Sequence, residues 1–192
     1  MNTDNIERYL NSFGKYIVQQ SRTNLTKGTK KYGTKNVTKA LYNSLRFDIE
    51  SDSDGFTVNF YMLDYGTFVD KGVSGKNKIR TYKNYEGKQL DSPYRYTNRM
   101  PPPNLLDKWI VRRGLAPRTK EGRFKKRTIG EAGFAKSIQF LVARKIFFNG
   151  IQGISFFQRP LELAFKKFGP ELLSMIAKDV TNSIKDSTKD LK

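Results

Sequence analysis

Asp64 and Asp70, close together in the sequence, are residues that could in principle hold Mg²⁺ for phosphodiester hydrolysis. A two-metal centre needs further carboxylates converging on one point, and no recognisable set accompanies this pair. Solvated or interface-paired carboxylates are therefore expected. Glu50-Ser-Asp-Ser-Asp-Gly55 approximates the start of a calcium loop, but Tyr61 stands where the bidentate Glu is required and the flanks read as strands. A hairpin turn is the expectation there. Gly72-Val-Ser-Gly-Lys76 approximates a phosphate loop whose first Gly would be Asp70 and whose Ser/Thr would be Asn77, so it reads as a flexible glycine turn. The chain contains neither cysteine nor histidine. That removes disulfides, thiolate nucleophiles, Cys-based zinc sites and the commonest general base. The expectation is a protein that is not an enzyme and carries no metal or cofactor. The lack of cysteine also fits a reducing compartment.

The strongest chemical signal is charge. Lys and Arg number 36 against 18 Asp and Glu, a net +18 over 192 residues. Such a surface attracts nucleic acid or acidic protein rings. Much of the charge sits in two segments. Residues 76–99 hold Lys76, Lys78, Arg80, Arg95 and Arg99 interleaved with Tyr82, Tyr85, Tyr94 and Tyr96. Residues 112–127 hold Arg112, Arg113, Arg118, Arg123, Lys125, Lys126 and Arg127. Aromatics among cations suit stacking on bases, and Tyr and Arg equally dominate protein–protein hot spots. Without a recognisable nucleic-acid reader fold, these residues are expected to bind a partner: another subunit, a neighbouring ring or DNA.

The positioning elements follow from periodicity. Ile6, Leu10, Phe13 and Ile17 share one face of a helix from Thr3 to about Leu25, with Thr3 or Asp4 as cap. Thr26–Asn36 reads as a loop and Val37–Ser44 as a short helix. The alternation over 45–62, broken by the Ser51–Gly55 turn, predicts a β-hairpin. Residues 72–103 lack sustained periodicity and read as a long loop or arm, reaching roughly 100 Å if extended at about 3.3 Å per residue. A helix from Asn104 to Arg113 is expected to bury Leu105, Leu106, Trp109 and Ile110, and another spans 131–149 with a broad apolar surface. Pro160 is expected at the first position of a further helix, which Gly169-Pro170 should break. A last helix carries Leu172, Ile176, Val180 and Ile184, before a polar tail over 185–192. The expected fold is α+β: one domain over 1–192, with a small antiparallel sheet packed by several helices, the loop or arm at 72–103 and a mainly helical part at 104–184. No run is long enough to span a membrane, and MNTDNIERYL lacks a signal-peptide pattern, so a soluble protein is expected.

Four segments occur in an order shared with a known family. They read Tyr61-Met-Leu-Asp-Tyr-Gly-Thr-Phe-Val-Asp70-Lys-Gly, then Pro101-Pro-Pro-Asn-Leu-Leu-Asp-Lys-Trp-Ile-Val-Arg-Arg-Gly-Leu115, then Phe140-Leu-Val-Ala-Arg-Lys-Ile146, then Asn149-Gly-Ile-Gln-Gly-Ile-Ser-Phe-Phe157. Together they resemble the neck, head–tail joining and tail-completion proteins of tailed bacteriophages. The 76–100 stretch is longer than that pattern, and the C-terminal helical part extends further. The resemblance implies a structural subunit of a homo-oligomeric ring, of six or twelve copies, joining the portal side of the head to the tail. Portal, adaptor or tail proteins would be its neighbours, with nonspecific contact to DNA in the channel and no membrane. Its place would be the virion, after synthesis in the bacterial host cytoplasm. A sequence-nonspecific DNA-binding protein is the alternative that the charge allows.

Overall fold

The computed structural model describes residues 4–27, 39–52, 55–112 and 132–189. The fold is α+β, with small antiparallel ribbons packed against helices. The chain divides into two compact units. Unit 1 comprises 1–71, 82–90 and 153–192; unit 2 comprises 72–81 and 91–152.

Unit 1 is built on α1 (Asp4–Lys27). Ile6, Leu10 and Ile17 are buried as their spacing predicts, and Val18 and Leu25 join a core with Leu41, Leu45 and Phe156. The helix runs on through Thr26 and Lys27; the rest of the expected loop lies outside the described residues. Next come α2 (Ala40–Ser44) and a hairpin of β1 (Arg46–Asp52) and β2 (Gly55–Tyr61). Phe47 faces Phe60, and Ile49 faces Val58, so one face of the ribbon is apolar and turned to the core. Gly14, in mid-helix, costs about 1 kcal/mol against alanine. A Cβ there would occupy the Phe47 ring, so the glycine lets the hairpin lie directly on α1.

The last helix, α6 (Gln158–Lys189), lies antiparallel to α1. Phe13 meets Phe165, Tyr9 meets Phe168, and Asn5 donates to Asp179 Oδ1 at 2.8 Å. Contrary to the expected break, α6 runs straight through Gly169 and Pro170. An interior proline removes one helical hydrogen bond and crowds the carbonyl four residues back, at about 3 kcal/mol. Here α1 braces both sides of the interruption. The Tyr9 hydroxyl donates to the Phe168 carbonyl at 2.6 Å and lies 3.0 Å from Glu171 Oε2. Burial, followed by the Glu171 carboxylate, pushes the Tyr9 phenol up to about 12. Pro160 is the third residue of α6 rather than the first, still within the turn whose N–H groups lack helical acceptors. The helix also takes in residues 185–189 of the expected tail.

Within 72–103, where periodicity is absent, the strands are very short: β3 (Gly72–Val73), β4 (Thr81–Lys83) and β5 (Gln89–Asp91). In unit 2, β3 pairs antiparallel with β6 (Ile151–Gln152), which follows α5 (Ala132–Asn149). The expected 104–113 helix is a 3-10 turn, Pro103–Leu106, continuing as α4 (Asp107–Arg112). Asn104 lies inside the 3-10 turn, and Asp107 accepts from Gln139 Nε2 at 3.2 Å.

The end of α5 shows what orders this unit. A helix terminus leaves its last four carbonyls without helical donors. All four find one. Gly150 N–H reaches Ile146 at 2.7 Å, Lys76 N–H reaches Phe147 at 2.8 Å, Asn77 N–H reaches Phe148 at 3.0 Å, and Arg80 Nε reaches Asn149 at 2.7 Å. Gly72–Lys76 is therefore packed, backbone to backbone, and is not a flexible turn. Ser74 is buried, with its Oγ accepting from Arg80 N–H at 3.0 Å.

Candidate partner-binding surfaces

Lys76, Lys78, Arg95 and Arg99 are exposed on unit 2. Arg95 donates to the Lys76 carbonyl at 3.0 Å, and the Lys76 ammonium stands 5.9 Å from the Phe147 ring centre. Tyr96 packs on the same ring, and its burial raises its phenol pKa. Lys76, Arg95 and Tyr96 thus gather around the end of α5. Arg80 does different work: besides Asn149, it lies 3.3 Å from Gln152 Oε1, and it is held inside the unit. Tyr94 is half-buried, its carbonyl accepting from Ser74 N–H at 2.7 Å.

Tyr82 and Tyr85 belong to unit 1. The Lys71 ammonium sits 5.8 Å from the Tyr82 ring, and Tyr85 meets Phe165 at 6.0 Å. The cation–tyrosine run in the sequence is therefore divided between two units. Arg112 closes α4. Arg113, Arg118, Arg123, Lys125, Lys126 and Arg127 lie outside the described residues, as does the Ser53–Asp54 tip of the hairpin.

The surfaces also carry large apolar groups, among them Leu105 and Trp109, which periodicity placed in the core. Leu105 is 74% exposed, Trp109 40% and Leu141 59%, whereas Ile110 is buried as expected. In unit 1, Tyr61, Leu63, Tyr65 and Phe68 are exposed around α3 (Gly66–Lys71), and Leu173, Ile176 and Val180 are exposed along α6. Four-residue steps explain Ile176 and Val180: each step overshoots a helical turn, so the row that starts at half-buried Leu172 drifts off the packed face.

Asp70 and Asp64 do not form a metal site. Asp64 is exposed, while Asp70 is 2% exposed and its Oδ1 accepts the Phe157 N–H at 2.8 Å. Gln158 also hydrogen-bonds this carboxyl. Asp70 therefore caps the start of α6 from across the chain, neither solvated nor paired at an interface as its sequence position implied. Among the described residues no group of three or more potential ligands could hold a metal ion, and no helix is long and apolar enough to cross a membrane.

Sequence reasoning passed over three cations of α1. Lys15 and Arg22, at i and i+7, share a helix side away from the apolar face, and Lys27, about 120° further round the helix, joins them in lining one groove. The seven-residue spacing of Lys15 and Arg22 is a signal the sequence carries, whereas Lys27 and Arg46 join them only through the fold. Comparison with known proteins finds no matching family model, no matching curated protein and no matching solved structure.

Proposed function

We propose that this chain is a structural subunit of a phage neck or tail-completion ring, joining the portal side of the head to the tail around the DNA channel. One observation carries the reading: eight of the sixteen large exposed apolar side chains among the described residues lie in segments that also bear the family resemblance. Tyr61, Leu63, Tyr65 and Phe68 lie in the first, Leu105 and Trp109 in the second, and Phe140 and Leu141 in the third. Clustered apolar groups on a protein surface mark interaction sites, and aromatic anchors dominate their energetics. A net charge of +18 suits acidic neighbouring rings and the DNA they enclose.

The reading predicts closed rings of six or twelve copies in electron micrographs of the purified protein, alone or on a partner ring, and stoichiometric copies in purified virions. Leu105→Ser with Leu141→Ser should abolish the rings while leaving circular dichroism and melting unchanged, since both side chains are more than half exposed in the folded subunit. Monomers only, free in infected-cell lysate and missing from virions, would defeat the proposal.

A further inference from the structure

Three cations of α1 line a built feature of unit 1. Lys15, Arg22 and Lys27 on the helix stand against Tyr42 of α2 and Arg46 and Phe47 of β1, walling an open groove of about 860 Å³. Val18 and Leu45 form its apolar floor. Its charged lining is of one sign, four cations, with no carboxylate among the described lining residues. Asp48 shares the outward face of β1 with Arg46 but is not part of the lining.

Arg22 is held in a fixed orientation within the groove. Its Nε donates to the Tyr42 carbonyl at 3.1 Å and its Nη2 to the Leu45 carbonyl at 2.8 Å. These groups lie at the end of α2, where carbonyls lack helical donors, so the guanidinium caps that helix. It also stacks over the Tyr42 ring at 5.2 Å. Two of an arginine's five N–H donors make these bonds, which leaves three for an anion. Arg46 is likewise stacked, 4.9 Å from the Tyr61 ring centre.

Like charges gathered over a low-dielectric floor focus a positive field and raise the local concentration of anions. Lys15 and Lys27 are separated by about 18 Å along the helix at 1.5 Å per residue. One small anion cannot bridge that distance. A nucleic-acid strand places one phosphate per roughly 3.4 Å of its axis, so several phosphates can meet the lining at once. A polymer of uniform sign complements an acid-free groove better than the mixed-sign face of a folded protein. We propose that this groove binds the phosphodiester backbone of nucleic acid without reading its sequence. The site lies wholly in unit 1 and does not depend on the ring reading, since its test measures binding in whichever oligomeric state the protein adopts.

The test is fluorescence anisotropy of a labelled, mixed-sequence DNA duplex titrated with the full chain over a salt series. Lys15→Gln/Lys27→Gln/Arg46→Gln is compared with Lys83→Gln/Lys145→Gln/Lys178→Gln, which removes the same charge from exposed sites elsewhere. Arg22 stays in place because it holds the fold, and thermal melts confirm that both variants are folded. The groove variant should show a salt slope shallower by about 2 to 3, at about 0.9 for each phosphate no longer neutralised, and roughly 100-fold weaker binding near 0.15 M salt. The control should change little, and Lys15→Arg/Lys27→Arg should bind like the parent. Equal losses in both triple variants would overturn the proposal in favour of the general field. So would a parent protein that does not bind DNA at low salt. Polyglutamate binding that needs the groove cations, with duplex binding that does not, would assign the groove to acidic proteins and overturn it as well.

Discussion

Gly75→Ala should destabilise unit 2 by about 3–5 kcal/mol, among the larger single-residue effects expected in a domain. The reason is the close approach that terminates α5. A Cβ on Gly75 would clash with the Phe148 carbonyl and the Gly150 amide, both backbone groups that no rotamer change can move. Overpacking of this kind costs about 1–3 kcal/mol. Relieving it separates the 75–77 segment from the helix end, and each of the Phe147 and Phe148 carbonyls left without its donor costs about 1–3 kcal/mol more if it stays buried. The sole tryptophan, Trp109, lies in unit 2 and reports its unfolding by fluorescence in urea. Gly169→Ala is the natural contrast. That glycine is helical, and nothing beyond its chain neighbours lies within 4 Å of its added Cβ. Pro170, however, disfavours a Cβ on the residue before it in a helix, so the usual gain of about 1 kcal/mol is offset and the midpoint should change little. A Gly75→Ala midpoint equal to the parent's would show that the helix end is not held by this close approach.

The same helix end shows where sequence reading stops. α1 and the 46–61 hairpin were legible because each is specified by a local period, 3.6 or 2, that needs no partner to be seen. The hydrogen bonds that end α5 join residues 75–77 to 147–150, and nothing in either segment names the other. Pro170 taught the opposite lesson. Its local rule is sound, but Tyr9 of another helix supplies a hydrogen bond beside the interruption, and the helix continues. Periodicity showed that Leu105, Trp109 and Ile110 sit together on a short helical segment; it could not say which of them a neighbour covers.

The candidate surfaces were legible in sign and not in detail. Arg80 and Arg95 look alike in a run of cations and tyrosines, yet one closes the end of α5 and the other stays exposed. The difference arises from which carbonyls lie within reach, a property of the fold. The cations of the α1 groove were harder still to see. Arg46 joins Lys15, Arg22 and Lys27 only because Gly14 lets the hairpin lie against the helix.

Asp70 supplies the second large effect, and it should appear as pH dependence. Burial is the leading cause that raises its carboxyl from 3.8 to about 6; the Phe157 and Gln158 hydrogen bonds and the Lys71 charge oppose it. Between about pH 4 and 6 the folded state therefore holds a proton that the unfolded chain has released, and stability falls as pH rises. The contribution is fully present below the unfolded value and is lost as pH passes about 6. A displacement of that size corresponds to about 3 kcal/mol, at about 1.4 per pH unit. Glu86 and Glu162, both lowered by lysine partners, act in the opposite direction at lower pH, so the parent's profile alone would be ambiguous. Asp70→Asn separates the contributions. Its amide oxygen can still accept the Phe157 N–H, and the residue no longer titrates. Relative to the parent, the variant should gain about 3 kcal/mol in urea unfolding between pH 4 and pH 7, leaving a flatter profile over that range. Parallel profiles for the two proteins would mean that Asp70 is ionised throughout and that the α6 cap is a carboxylate already at pH 4. The expected result makes Asp70 a neutral cap in acid and a strained, charged one at neutral pH. Its chemistry then belongs to holding Phe157 and α6 in place, which is why a carboxylate near Asp64 can look catalytic in sequence and still be structural.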